Sequence, residues 1–400
     1  MMERKNIFQP PPMGWNSWYC FSEGVSDSRI REVAAGMVER GFVRHGWRYI
    51  NIDDCWQGKR GGKYQALQGN ERFPDMASLG DHIHRLGLKF GLYSTPFIGT
   101  YAGFRGGSRD HTEEQVCIPE KERAQPEQLY GTWPGGQKRD VFRVGKEWLF
   151  DNDVRQWADW GVDFIKVDWN PIDTPTTERI AKALQNSGRE ILLSVSNNAS
   201  LENAAEISSL SNLWRISGDV TDTWESIARI AFETAPKWAK YARPGHWNDL
   251  DMLQIGAIGK TGTMNPAFIP TRLSYDEQKS QFALWCMYSS PLLLSCDIVN
   301  MDDRTFGLVT NDALIAVDQD PLCAHPEILE AEEPFYGLKK KLSDGKEVLC
   351  IVNLSDEPGN CILEKWVAGY GEAFDVFHND RCRSEEVRIP AHGCVVWLLK

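Results

Sequence analysis

Four stretches of the chain end an apolar, β-rich run on carboxylates with a tryptophan or a cation beside them. They are Tyr49-Ile50-Asn51-Ile52-Asp53-Asp54-Cys55-Trp56, Phe164-Ile165-Lys166-Val167-Asp168-Trp169-Asn170, Trp214-Arg215-Ile216-Ser217-Gly218-Asp219 and Trp247-Asn248-Asp249-Leu250-Asp251-Met252. A single strand-end Asp is as readily the N-cap of the next helix. Four such ends with interleaved Trp point instead to one shared pocket. Two carboxyl groups facing each other between aromatic walls are the minimum equipment for cleaving a glycosidic bond: one attacks or stabilises the anomeric carbon, the other protonates the leaving oxygen. Asp168 is the candidate nucleophile, because Lys166 lies on the same strand face and would keep it ionised at neutral pH. Asp219 is the candidate acid/base, with Arg215 near it, its proton held by the negative Asp168 until that residue is esterified. The bland alternative for Lys166 and Arg215 is a buried ion-pair network inside a barrel.

These side chains meet only if the strands that carry them are neighbours. The chain alternates short β-rich runs with longer helical patterns, the arithmetic of a parallel βα structure. Eight runs can be counted, at 12–18, 47–54, 88–95, 162–168, 190–196, 213–217, a weaker one at 246–252, and 291–298. Helical patterns fall between them at 27–39, 176–186, 222–234 and 275–287, the first with Asp27 or Ser28 as N-cap. This predicts a (β/α)8 TIM barrel over residues 1–320, in which polar residues ending each strand face the mouth of the active site. From 97 to 147 the connection is rich in Gly, Pro, Arg and Tyr and far longer than a usual loop. An insertion there lies on the same rim, placed to shape the substrate entrance or a homo-oligomer contact. From 321 to 400 the pattern changes to short alternating strands at 335–342, 347–354, 360–364, 373–378 and 386–399, with Asp344-Gly345 as a hairpin turn. It predicts an antiparallel β-sandwich domain with a structural role, Trp366 and Trp397 being core residues rather than a lectin platform.

Composition narrows the partners. The 400 residues carry 56 acidic against 44 basic side chains, a net charge of -12, and no Lys/Arg run accompanies an aromatic platform. Nucleic acid and anionic membranes are therefore not expected partners, and no apolar stretch is long enough to span a bilayer. The 16 Trp suit sugars, whose C–H faces stack on flat apolar rings. Ten cysteines are scattered without a C-x-x-C pair and read as reduced, buried thiols. With the polar start Met1-Met2-Glu3-Arg4-Lys5-Asn6, this makes a cytoplasmic location the expectation. His82 and His84 point to different faces of a helix, so no metal site is expected, and no cofactor motif is present.

Taken in order, the segments resemble a known family. Met13-Gly14-Trp15-Asn16-Ser17-Trp18, Ile52-Asp53-Asp54-Cys55-Trp56, Gly91-Leu92-Tyr93, Lys166-Val167-Asp168, Arg215-Ile216-Ser217-Gly218-Asp219 and Trp247-Asn248-Asp249-Leu250-Asp251-Met252 are similar to the melibiase-type α-galactosidases and α-N-acetylgalactosaminidases of glycoside hydrolase family 27. The resemblance implies a barrel followed by an antiparallel β domain, and retaining hydrolysis with Asp168 as nucleophile and Asp219 as acid/base. It also implies Trp18 as a wall of the sugar pocket and Asp53 and Asp54 as acceptors for the 4-OH and 6-OH region of galactose. Tyr93, Lys166, Arg215, Asp251 and Met252 follow as further substrate-binding residues. A fixed pair of charged acceptors reads an axial hydroxyl well, since the wrong epimer leaves them buried and unpaired.

The chain departs from the family pattern in four places. Trp169-Asn170 stands where the family usually has Cys after the nucleophile, so a disulfide near the pocket is missing. Leu250 stands where the Asn-Asp-Pro-Asp pattern has Pro. Cys55 reads as a packed thiol rather than a nucleophile; extracellular relatives pair the equivalents of Cys20 and Cys55, and the residues leave that pairing open. In Ser194-Val195-Ser196-Asn197-Asn198-Ala199, the small Ser196 and Ala199 fall where a bulky Glu and Leu read a 2-hydroxyl in the family, which leaves room for a 2-acetamido group. The first reading is thus an exo-acting α-galactosidase and the second an α-N-acetylgalactosaminidase. A β-L-arabinopyranosidase would carry a larger acid near Asp54, and a non-catalytic binding barrel would have lost Asp168 or Asp219. A phosphate cradle could be sought only in Gly256-Ala257-Ile258-Gly259-Lys260-Thr261-Gly262, which reads better as an ordinary flexible connection.

Overall fold

Each of the eight runs forms a strand: β1 Met13–Asn16, β2 Tyr49–Asn51, β3 Lys89–Ser94, β4 Phe164–Asp168, β5 Leu192–Ser196, β6 Leu213–Arg215, β7 Trp247–Asp249 and β8 Leu292–Leu294. The computed structural model describes residues 10–110, 141–259, 267–329 and 333–400, the last without 368, 371, 379 and 382–385. The strands pair in parallel in the order β7-β6-β5-β4-β3-β2-β1-β8. A parallel bridge between Leu253 and Leu294, with the Leu253 amide 2.8 Å from the Leu293 carbonyl, closes the sheet on itself. The result is the predicted barrel.

The strand starts are apolar and the strand ends polar, and this polarity decides which end is open. Tyr49, Phe164, Leu192, Leu213 and Trp247, all at or next to strand starts, cluster with Cys323 and plug the N-terminal end. The β4–β5 register pairs Phe164 with Leu192, Lys166 with Ser194 and Asp168 with Ser196, so these six residues share the interior face. Gly91 on β3 is required by crowding: a Cβ there would meet Asn51 Oδ1 at 1.9 Å.

Outside the barrel, helix Asp27–Glu39 is capped by Ser26, whose side chain accepts from the Arg29 amide, one residue before the expected cap. The pattern at 222–234 forms helix Trp224–Ala228 and then a π-helical turn, Arg229–Thr234. The strand after β7, Ala257–Gly259, pairs with Phe268–Pro270, so the described part of the Gly256 loop is a hairpin arm and not a flexible connection. Residues 260–262 of that loop lie outside the described residues. The stem of the long insertion folds back on itself, with Ile98 N–H donating to Arg143 O and Ser108–Arg109 pairing with Glu147–Trp148. Its middle, 111–140, and with it the expected entrance or oligomer contact, lies outside the described residues.

Eight further strands follow: β9 Glu327–Leu329, β10 Phe335–Lys341, β11 Glu347–Asn353, β12 Gly359–Ile362, β13 Ala373–Asp375, β14 Asp380–Arg381, β15 Glu386–Ile389 and β16 Cys394–Leu399. They form an antiparallel sheet ordered β9-β10-β11-β16-β13-β14 and a pair β12-β15. Leu349, Ile351, Val395 and Trp397 of the large sheet bury against Cys361 and Ile389 of the small one, and Trp366 packs on the same cluster. The expected single strand at 386–399 is two strands in different sheets, because Pro390 cannot donate to a ladder and the chain turns through Pro390-Ala391-His392-Gly393. Where this domain meets the barrel, fully buried Lys340 donates from Nζ to the carbonyls of Cys286 and Val317 and to Ser289 Oγ. No helix among the described residues is long and apolar enough to cross a membrane.

Candidate active site

The strand ends carry the predicted residues to one mouth. Asp168 ends β4 and is buried; its Oδ2 accepts from Tyr93 Oη at 3.3 Å, and its Oδ1 has no hydrogen-bond partner. Lys166, two residues earlier, donates from Nζ to Asp53 Oδ2 at 2.9 Å and sits 5.3 Å from the centre of the Tyr93 ring. Burial opposes the Asp168 charge and Lys166 favours it, as its place on the same strand predicts. Burial pushes the Asp168 carboxyl up to about 7, Lys166 offsets only part of that rise, and Asp219 and Asp53 add to it. Burial also opposes the Lys166 charge, but Asp53 and Asp168 outweigh it and hold the ammonium well above its usual range.

Asp53 and Asp54 are both buried and already oriented. Asp53 Oδ2 also accepts from Asn16 Nδ2 at 2.8 Å, and its Oδ1 accepts from the Asp54 amide. Asp54 accepts from the amides of Cys55 and Ala102, at 2.7 and 3.0 Å. Desolvation pushes Asp54 up to about 7 despite these bonds and one from Thr100, and the neighbouring Asp53 adds to the rise. Trp18 is half-buried beside them, its amide donating to Asn16 Oδ1.

On the opposite side Arg215, at the end of β6, is buried and uses one nitrogen twice. Its Nη2 lies 2.7 Å from Asp251 Oδ2 and 3.0 Å from Asp219 Oδ1. The Asp219 side chain is 62% exposed, so the two candidate carboxyls differ sharply in solvation. The backbone behind Asp219 is pinned from two sides: Val220 N–H donates to Asp251 Oδ2, and Tyr19 Oη donates to Val220 O. Asp251 also accepts from the Met252 amide and has a positive φ of 76°, the left-handed region that suits few non-glycine residues. Its carboxylate is thus bonded to protein on both oxygens, as those of Asp53 and Asp54 are, and it also supports Arg215 and the Asp219 loop. Burial raises it to about 6 against the opposing Arg215. The buried ion-pair network considered as an alternative is therefore real, and its anions are the predicted site residues.

Ser196 ends β5 opposite Asp168, and its buried Oγ has no partner. Past it the chain is stitched to the end of β6, Asn198 N–H donating to Ser217 O and Ala199 N–H to Arg215 O. Ala199 and Met252 are both buried. Sequence reasoning missed Asn16, Tyr19, Thr100 and Tyr101. Asn16 alone had a signal, the alternation along β1 that puts it on the interior face in register with Asn51. Cys20 and Cys55 are both free, buried thiols. Five carboxyls, Asp53, Asp168, Asp219, Asp249 and Asp251, thus surround two cations, Lys166 and Arg215, with Asp54 beside Asp53. Such a pocket favours a neutral, hydroxyl-rich ligand over an anionic one.

The chain as a whole is similar to known proteins. The family model described as "Alpha galactosidase A" matches residues 10–117 and 144–320. The chain is 33% identical over 373 residues to "Alpha-galactosidase 2" of Arabidopsis thaliana, covering 92% of this chain and 81% of the relative. It is 29% identical over 341 residues to an "Alpha-N-acetylgalactosaminidase" of Gallus gallus, covering 79% of this chain and 72% of the relative. A solved Bacteroides fragilis structure, described as a candidate α-galactosidase/melibiase, superposes with a TM-score of 0.81 at 29% identity over 98% of this chain and 79% of that one. The chain belongs to the melibiase family of glycoside hydrolases.

Proposed function

We propose that the chain hydrolyses terminal α-linked galactose from oligosaccharides or glycoconjugates, with retention at the anomeric carbon. The carrying observation is the contrast between two carboxyls: Asp168 is buried with an unpartnered oxygen, while Asp219 is exposed and tethered by Arg215. In this reading Asp168 attacks the anomeric carbon as the bond to the aglycone oxygen breaks, and Asp219 gives its proton to that oxygen. Asp219 then takes a proton from water, which attacks the same carbon and releases Asp168 from the glycosyl ester. Lys166 and Arg215 balance the charge, and the deep pair Asp53 and Asp54 accepts the sugar hydroxyls. The names of the relatives support galactose, and free thiols at Cys20 and Cys55 support work in a reducing compartment such as the cytoplasm.

One observation favours α-N-acetylgalactosaminide as a second substrate. The unpartnered Ser196 hydroxyl stands in register with Asp168, and the small Ala199 follows it where the chain is tied to the end of β6. Side-by-side hydrolysis of the p-nitrophenyl α-glycosides of galactose and N-acetylgalactosamine, with Asp168→Asn as the blank, tests both. Turnover of galactose alone supports the first reading and a preference for the acetamido sugar the second; no turnover of either by folded protein rejects both.

A further inference from the structure

The segment after the nucleophile lacks the disulfide that the family resemblance would lead one to expect, yet it is not loose. Trp169 N–H donates to Ser196 O at 2.8 Å and Asn197 N–H to Trp169 O at 3.3 Å, which ties it to β5. On its other side stands Tyr101, from the described stem of the long insertion. Both neighbours of Tyr101 in the chain are bound to a pocket residue: Thr100 hydrogen-bonds Asp54 through its side chain, and the Ala102 amide donates to Asp54 Oδ2 at 3.0 Å. The Tyr101 ring is wedged against Phe97 and Phe142, at centroid distances of 6.5 and 5.3 Å. Its hydroxyl oxygen accepts from the Asn170 amide.

We propose that Tyr101 is a positioning residue of the site, its hydroxyl fixing the chain just past the nucleophile and its ring keeping water from Asp168. The surroundings of the phenol agree: burial, Asp168 and Asp219 all push it well above its usual range, the Asn170 amide opposing them, so it stands in the field of both carboxyls. Tyr93 is raised in turn by burial and by Asp168, Asp54, Asp53 and Tyr101. The groups facing Asp168 are Lys166 on its own strand, Asp53 beyond β2, Tyr93 on β3, and Arg215 and Asp219 at the end of β6. None of these is removed by a change at Tyr101, so a shift of Asp168 there reports solvation.

The inference rests on the proposed glycosidase reading and is tested in the full chain with Tyr101→Phe and Tyr101→Ala. The readouts are the pH profile of kcat/KM on p-nitrophenyl α-galactoside and the carbon-13 titration of the Asp168 carboxyl, assigned by its loss in Asp168→Asn. Loss of the hydroxyl in Tyr101→Phe lowers kcat/KM about threefold to tenfold, the size of one neutral hydrogen bond, mostly through kcat. Tyr101→Ala also admits water and moves the acid limb and the Asp168 titration down by about one pH unit. An unmoved limb and titration in Tyr101→Ala, or kcat/KM within about twofold of the parent in Tyr101→Phe, overturns the proposal. Should Tyr101→Ala fail to fold, the Tyr101→Phe criterion decides alone. If the parent protein turns over neither glycoside, the glycosidase reading fails, and the carboxyl titration still decides whether Tyr101 shields Asp168.

Discussion

Arg215 and Asp251 form an ion pair of 2.7 Å in which both side chains are only 2% exposed. The same guanidinium nitrogen reaches the exposed Asp219, so a buried pair at the end of β6 and β7 aims the candidate acid/base. Asp251→Ala leaves the guanidinium buried without its main partner. Breaking such a pair costs about 3–5 kcal/mol. Denaturant unfolding of Asp251→Ala is expected to show that loss, together with a fall in kcat that exceeds any change in KM.

Asp168→Asn is expected to abolish turnover and yet stabilise the fold. The carboxyl of Asp168 is raised to about 7 in the folded chain, above its unfolded value near 4. A raised carboxyl favours folding fully below the unfolded value, and that contribution is lost as pH rises through the folded one. At pH 8 the buried charge therefore weighs against the fold and the amide does not. Thermal unfolding of the variant against the parent should give a higher Tm at pH 8 and a gap that closes toward pH 5; a gap independent of pH contradicts the burial argument.

The acid limb of kcat/KM reports the free enzyme, and the nucleophile must be ionised to attack. Activity is accordingly expected to fall as pH drops through about 7, the value to which burial lifts both Asp168 and Asp54. A flat profile down to pH 5 would show that Asp168 ionises as an ordinary carboxylate.

Asp219→Ala removes the proton donor but leaves Asp168 in place. Substrates with activated phenol leaving groups should keep their first step, and azide should restore turnover by yielding the β-linked glycosyl azide. A folded Asp219→Ala variant with no azide rescue assigns the acid/base role elsewhere.

Lys340→Met probes the seam between the two domains. The lysine Nζ reaches two barrel carbonyls and Ser289 Oγ near the buried Asp318, whose Oδ1 has no hydrogen-bond partner. Removing the ammonium leaves two buried carbonyls without their donor and should lower the unfolding free energy by about 1–3 kcal/mol. Susceptibility to proteolysis near 321–334 should rise, with KM for the sugar unchanged.

The legible features were those with a period. Eight apolar runs gave eight barrel strands because a parallel strand buried on both faces leaves a continuous β-rich signature. Asp53, Asp168 and Arg215 were legible because they end such runs. Lys340 was not: within Phe335-Tyr336-Gly337-Leu338-Lys339-Lys340-Lys341 it reads as one of three solvated lysines, and only the barrel packed against β10 buries it. The extent of Asp168 ionisation was not legible for a related reason. Spacing reveals the neighbouring Lys166 but carries no measure of desolvation, which here is the larger effect. Tyr101 lies in an irregular stem where no periodicity points a side chain anywhere. The break at Pro390-Ala391-His392-Gly393 did have a signal, a proline and a glycine inside an otherwise continuous alternating run.

The central claim is that Asp168 becomes covalently bonded to the sugar. Incubation with an activated, fluorinated α-galactoside that enters the first step faster than it leaves the second, followed by proteolysis and mass spectrometry, tests this directly. The account predicts one galactosyl-type adduct, carried by the peptide that contains Asp168 and absent from Asp168→Asn. Turnover of the parent substrate with the adduct on another carboxylate would contradict it.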